Sequence, residues 1–403
     1  MESLQVRRLG GFFSIFVEIE CSMDYFECHK NYKQNQLFGR YITLSQIESV
    51  LQSLSIHPES KGYSVQNRPL YQFDIGNGKF KVLLWSQMHG NEGTTTKALF
   101  DFIAFLQSDD PLAEALQQRF KFRILPMVNP DGAEAYTRVN ANQVDLNRDS
   151  VDLSQPESRF LRGAFDEFQP NLAYNLHDQR TIFGAGNTGN PATVSFLAPA
   201  YNEERAINEV RTKAMNVIVA MNEELQKHIP NQVGRFDDGF NLNCIGDRFI
   251  NLGVPTILFE AGHYPNDYYR EYTRKMIFIA LISGLKYIYE NDIVDNKNEL
   301  YLQIPQNNAV FYDFIYKNIK INYDGKEIIT NFAAQYREEL INGNIEFNAY
   351  ICEVGALEGK IGHFSYNAHK MRYSDGKNDI PNIDEKADFY LEKNIKFVNG
   401  VKI

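Results

Sequence analysis

His89 stands three positions ahead of Glu92 in the stretch Gln87-Met88-His89-Gly90-Asn91-Glu92-Gly93. A glycine-flanked turn leaving a strand can aim one imidazole and one carboxylate at a single point, and those donors suit Zn²⁺. A second imidazole, His177, closes the apolar run 171–176. It therefore falls at the C-terminal end of an expected strand, the edge of an open α/β sheet where ligands collect. Two histidines and one glutamate leave a fourth tetrahedral position open, which is the arrangement of a catalytic rather than a structural zinc. Glu260 ends the most apolar strand, in the sequence ILFEAGH. A carboxylate there is partly desolvated, so its pKa rises and it suits proton transfer; the plain alternative is a salt bridge to an arginine. Residues 129–150 hold Arg138 and the pair Asn147-Arg148 in a loop rich in glycine and asparagine. Planar guanidinium groups recognise carboxylates bidentately, so such arginines beside a metal can polarise a carbonyl or clamp a substrate carboxylate. Taken singly, each of these residues also has an ordinary reading as a strand cap or a surface side chain.

The elements that must carry these residues alternate along the chain. From about 79 to 290, short β-branched runs alternate with segments of helical period, the pattern of a mostly parallel sheet covered by helices. Residues 81–88 (KVLLWSQM) read as a strand and are followed by a helix over 95–106. A second strand covers 120–128 and is stopped by the turn formers Asn129-Pro130-Asp131-Gly132. Further strands are expected at 172–176, 193–198 and 254–259, with helices at 203–228 and 268–289. The apolar continuity of 254–259 marks a central strand buried on both faces. Upstream, a helix over 45–54 and an edge strand over 70–75 complete this unit. After Asn291 a polar linker, NDIVDNKNEL, leads into short alternating runs at 318–322, 345–353 and 395–398, with turn signals at Asp324-Gly325 and Asn342-Gly343-Asn344. The expected division is an N-terminal extension over 1–22, a main domain over 23–290 and a smaller β-rich accessory domain over 295–403.

Bulk properties narrow the function classes. A chain of 403 residues exceeds the roughly 250–300 at which single cores stop growing. With 41 basic and 51 acidic residues the net charge is −10, and no dense Lys/Arg tract is present, which disfavours nucleic acid. The longest apolar stretch, 276–285, falls short of the roughly 20 residues needed to span a bilayer. Cys21, Cys28, Cys244 and Cys352 show no CxxC spacing and read as free thiols of a reducing compartment. Arg7 and Arg8 precede an apolar run over 9–17 that looks like a secretory signal, but Glu18 and Glu20 interrupt it and no small-residue cleavage site follows. Cytoplasmic residence is the expectation.

The ordered set His89-x-x-Glu92, NPDG at 129–132, Arg138, DLNRD at 145–149, His177 and Phe259-Glu260 resembles the zinc metallocarboxypeptidases, the carboxypeptidase A-like family, over about residues 80–290. The resemblance implies a mixed, mostly parallel eight-stranded sheet between helices and one Zn²⁺ per chain. It implies that His89, Glu92 and His177 are the zinc ligands and that Glu260 is the base and acid acting on zinc-bound water. Arg138 would stabilise the oxyanion, Asn147 and Arg148 would bind the free C-terminal carboxylate of a peptide substrate, and Asp145 would orient a zinc histidine. The implied activity is removal of a C-terminal amino acid from peptides. The alternatives are an aspartoacylase-like deacylase of N-acyl amino acids and a non-catalytic peptide-binding relative. The sequence departs from the family in one respect: the interval 234–253 lacks the tyrosine that closes over substrate. Phe240, Asn241 and Tyr264 are the nearest residues to that role, which stays unassigned. The side-chain pocket floor is expected at 243–247, where Asp247 would favour a basic terminal residue. Asp178 reads as a hydrogen-bonding neighbour of His177, and His263 is one further imidazole near Glu260.

Overall fold

The computed structural model describes residues 24–291 and 296–403. The expected extension over 1–22, with its signal-like stretch and Cys21, lies outside the described residues. Short apolar runs build one eight-stranded sheet from β1 (Glu59–Tyr63), β2 (Pro69–Ile75), β3 (Phe80–Ser86), β4 (Phe120–Leu125) and β5 (Leu172–Asp178). After a short β6 (Phe183–Ala185) that stands apart, β7 (Val194–Leu197), β8 (Val233–Arg235) and β9 (Thr256–Ala261) complete it. The spatial order is β1-β2-β4-β3-β5-β9-β7-β8. The four central strands, β4, β3, β5 and β9, are parallel neighbours, while β2 and β7 run antiparallel against them on either side. The mixed, mostly parallel sheet read from the sequence is therefore present.

Period-two alternation sorts the side chains of each strand between two layers. Val82 and Leu84 of β3 enter the larger core, and Leu83 and Trp85 enter the smaller one. Over the larger face lie α1 (Tyr25–Tyr32), α2 (Leu44–Ser53), α3 (Thr94–Leu106), α4 (Pro111–Arg119), α7 (Glu209–Leu225) and α9 (Glu271–Glu290); α6 (Pro156–Phe168) and α8 (Ile245–Asn251) cover the other. A single-turn α5 (Pro130–Ala135) follows β4. No helix among the described residues is long and apolar enough to cross a membrane.

Three expectations need correction. The helix expected over 203–228 begins at Glu209, because the Asn208 side chain accepts from the Arg211 N–H and fixes the start there. The strand at 70–75 is not an edge strand, since β1 pairs outside it; the polar, largely exposed sequence ESKGY gives β1 no apolar alternation to read. The second half of the polar linker is partly helical: α10 (Asn298–Gln303) buries Tyr301 against the main core.

Beyond α10, β10 (Asn307–Ala309) pairs with β6 of the main body. Then β11 (Phe311–Tyr323), β12 (Lys326–Ile341), β13 (Asn344–Gly355) and β14 (Ile361–Asn367) form a sheet in the order β13-β12-β11-β14. A smaller sheet joins β15 (Tyr373–Ser374), β16 (Phe389–Leu391), β17 (Ile395–Val398) and β18 (Val401–Lys402). An aromatic core that includes Phe314, Tyr316, Phe332, Phe389 and Phe397 lies between them. Asp324-Gly325 and Asn342-Gly343 are the two-residue turns of the β11–β12 and β12–β13 hairpins. All four residues have φ between 49° and 78°, the geometry that matches strand twist.

One buried ion pair ties the N-terminal segment to the helical layer. Arg274 on α9 grips Asp101 on α3 at 2.6 and 2.7 Å, and its other donors reach the carbonyls of Leu37 (2.6 Å) and Gln34 (2.9 Å). Both side chains have zero exposure. Truncating the arginine would leave the buried Asp101 carboxylate with only His29 and the Gln34 N–H, each at 2.8 Å, so Arg274→Met should lower unfolding stability by about 3–5 kcal/mol in urea titrations. A loss below about 1 kcal/mol would show that the pair is not what fastens this segment.

Candidate metal centre

The strand register sets the centre. His177 and Glu260 are directly paired residues on the parallel neighbours β5 and β9, so their side chains leave the sheet side by side. His89 and Glu92 arrive from the loop after β3, which is held against the loop after β4. The Val128 N–H donates to the Ser86 carbonyl and the Asn129 N–H to the Gln87 carbonyl, each at 3.1 Å. A Cβ on Gly90 would lie 1.9 Å from the carbonyl carbon of Gly132, so the backbones touch where only glycine fits. The NPDG stretch does two jobs here. Asn129 caps α5 by accepting from the Gly132 N–H, and Gly132 admits the donor loop.

Donor atoms of His89, Glu92 and His177 all lie within 4.8 Å of one another, and all three residues are buried. His89 Nδ1 and His177 Nδ1 each stand 2.8 Å from a different oxygen of Glu92, and 3.0 Å from each other. Both imidazoles thus present the same nitrogen to one point. The other nitrogen of His89 meets Asp145 Oδ1 at 3.0 Å, a contact that fixes ring orientation. Two imidazoles and a carboxylate converging in a buried pocket form a donor set that fits a divalent ion such as zinc.

The two buried glutamates are driven in opposite directions. Burial pushes Glu92 up, but His89 and His177 together hold its carboxyl well below the usual range. Burial, joined by the nearby Glu92 and Asp178, drives Glu260 well above it. Among the described residues, Glu260 Oε2 is buried and accepts no hydrogen bond and Glu260 forms no ion pair, so the salt-bridge alternative for Glu260 is not what the geometry shows. Asp145 is held well below its ordinary value: burial opposes the shift, and His89, Arg138 and the Asn147 N–H outweigh it.

Arg138 reaches the centre from the loop after α5, with Nε 3.1 Å from Asp145 and Nη1 3.2 Å from Glu92. Asn147 and Arg148 sit on a 3₁₀ turn, Leu146–Arg148, capped by Asp145. The Asn147 side-chain oxygen accepts from the Ile245 N–H at 3.1 Å. Arg148 is exposed and donates to the Asn147 carbonyl. The structure gathers His89, Glu92, His177, Glu260, Arg138 and Asp145 around one point and sets Asn147-Arg148 beside it against α8. On that side, burial pushes the Asp247 carboxyl up to about 7. Tyr264 is stacked on Tyr272 with ring centroids 4.0 Å apart. His263 packs against Tyr268 and His363 rather than joining the donor cluster.

Asp178 proves more central than a neighbour of His177. Its carboxylate accepts from the Thr94 and Thr95 N–H groups at 3.0 and 3.1 Å, capping α3, and from Arg40 at 2.8 Å. Its own N–H donates to Glu92 Oε2 at 3.1 Å. Arg40 continues to Glu338 on β12 at 3.0 Å. Neither Arg40 nor Glu338 carries a local sequence signal.

Residues 47–222 match the family model described as zinc carboxypeptidase. The chain is 29% identical over 188 residues to carboxypeptidase 2 of Trichophyton rubrum, covering 46% of this chain and 33% of that protein. It is 30% identical over 146 residues to human carboxypeptidase D, covering 29% and 10% respectively. The matched stretches thus span about a third or less of the curated relatives. A solved metallo-carboxypeptidase from Burkholderia cenocepacia superposes with a TM-score of 0.50 at 17% identity over 61% of this chain and 69% of that one. Bovine thrombin-activatable fibrinolysis inhibitor, solved with tick carboxypeptidase inhibitor, gives 0.50 at 16% identity over 65% and 99%. Both structural likenesses concern the fold. Residues 47–222, which carry both histidines and the glutamate of the donor cluster, are the part of the chain that is similar to the zinc carboxypeptidase family.

Proposed function

We propose that this protein is a zinc-dependent hydrolase that removes the C-terminal amino acid from peptides. The observation that carries the reading is the buried His89-Glu92-His177 cluster with an unpartnered glutamate, Glu260, in register beside it. Those three residues would hold one zinc ion, which when bound supplies Lewis acidity toward a carbonyl and toward water. Glu260 takes a proton from the attacking water and returns it to the departing amine, a task its raised pKa suits. Arg138 offers guanidinium donors where negative charge develops on the carbonyl oxygen. Asn147 and Arg148 hold the terminal carboxylate, and Asp145 keeps His89 in the orientation that faces Nδ1 inward.

Peptides with free C-termini should lose single terminal residues and amidated counterparts should not, as read by mass. A chelator should stop the release and added Zn²⁺ should restore it; release from amidated peptides would overturn the reading. Glu260→Gln should reduce kcat by at least about 10³-fold while the purified protein still carries zinc, and near-normal turnover would remove Glu260 from the mechanism. Arg148→Ala should raise KM for free-acid peptides about 10- to 100-fold, the loss of one charge-assisted hydrogen bond, with a smaller effect on kcat. Asp145→Ala should weaken zinc affinity about 10- to 100-fold in competition with a chromogenic chelator; an unchanged affinity would make the His89 contact incidental.

A further inference from the structure

The accessory sheet shares a wall with the cleft. Gln335, Tyr336 and Glu338 of β12 and Phe347 of β13 line one side of a cavity of about 270 Å³. Its other side includes Asn91, which lies between the donors His89 and Glu92 in the chain, and Arg180, three residues past His177. The carboxylate clamp of the proposed function contacts α8 instead. The cavity thus borders the loops after β3 and β5 and the accessory sheet, and neither Asn147 nor Arg148 lines it.

Three charged side chains line the cavity, and their partners differ. Glu338 is neutralised by Arg40 and accepts from the Tyr136 hydroxyl. Asp313 accepts from the Tyr268 hydroxyl at 2.7 Å, the Tyr336 N–H at 2.8 Å and the Gln335 amide. Arg180 forms no ion pair or hydrogen bond among the described residues. Arg180 is also exposed, so the cavity offers one accessible cation that no side chain of the described residues neutralises. A peptide bearing a carboxylate side chain supplies the complementary group. The segment that carries Arg180 is held from the accessory side: Thr181 Oγ1 accepts from Gln335 at 2.7 Å, and His363 Nε2 lies 2.9 Å from the Thr181 carbonyl oxygen.

Building on the peptidase reading above, we propose that this cavity receives the residues preceding the scissile bond and that Arg180 selects an acidic side chain there. The accessory sheet then completes a substrate site instead of merely abutting the catalytic unit.

The test uses the full-length, zinc-loaded protein carrying Glu260→Gln, so that binding is read by calorimetry without turnover. The probes are tetrapeptides with one fixed C-terminal residue and Glu, Gln or Lys at each of the two positions before it. Glutamate peptides should bind about tenfold more tightly than their glutamine isosteres at one of those positions, with the gap narrowing as salt rises. Adding Arg180→Ala should collapse the gap, and Arg180→Glu should turn the preference toward lysine. Equal affinity for Glu and Gln peptides, or a gap that survives loss of Arg180, overturns the proposal. Parallel cleavage assays on the unsubstituted enzyme separate the two readings. Arg180-dependent binding without cleavage sinks the peptidase reading alone, and cleavage without Arg180-dependent discrimination sinks the acidic subsite alone. Peptides neither bound nor cleaved overturn both.

Discussion

The buried carboxylate of Asp178 is the constraint on which the centre depends. A charge taken out of water is costly unless donors surround it, and here the donors come from separate parts of the chain. The first turn of α3 supplies two N–H groups and Arg40 supplies a guanidinium. Satisfying Asp178 therefore sets the distance between the end of β5, which bears His177, and the start of α3, which follows Glu92. The Asp178 N–H then holds Glu92 directly. Through Arg40 the same carboxylate is connected to Glu338 on the accessory sheet. One solvation requirement thus positions two metal donors and docks the second unit.

The two glutamates of the centre show how environment divides labour between like groups. Glu92 is surrounded by imidazoles and an N–H donor, which hold its carboxyl well below the usual range. Glu260, two strands' width from the same loop and, among the described residues, without a donor on Oε2, has its pKa driven well above the usual carboxyl range by burial and by the nearby Glu92 and Asp178. Pairs of carboxyl groups pushed apart in this way mark sites of proton transfer. Register contributes to the division, because β9 places Glu260 directly opposite His177, within the field of Glu92 and Asp178.

Much of this was legible in the sequence, for a physical reason. His177 and Glu260 end runs so apolar that only buried central strands could accommodate them, and a polar residue at such an end must face a ligand edge. His89 and Glu92 were legible through the glycines that free their loop. The fold class followed from the alternation of the same runs. What escaped was non-local. Asp178 was read as a hydrogen-bonding residue beside His177, but its distant partner Arg40, and Glu338 beyond that, sit in no pattern of their own. The strand β12, 16 residues long, went unread because most of its side chains are exposed or half-exposed and its three buried residues are consecutive, so period-two alternation is weak. Arg180 and Gln335 have meaning only once the accessory sheet is placed against the loop after β5.

The pairing of β5 with β9 also bears on the life history of the chain. Hairpins such as β11–β12–β13 close between sequence neighbours and form early, whereas parallel pairings across long intervening segments carry a large loop-closure cost and come late. His177 and Glu260 become neighbours only through such a late pairing. A molecule in which β5 and β9 are still unpaired therefore lacks the juxtaposition on which the proposed hydrolysis rests, although it already contains both residues. The proposed activity is in this sense a property of the assembled sheet and not of any segment of the chain.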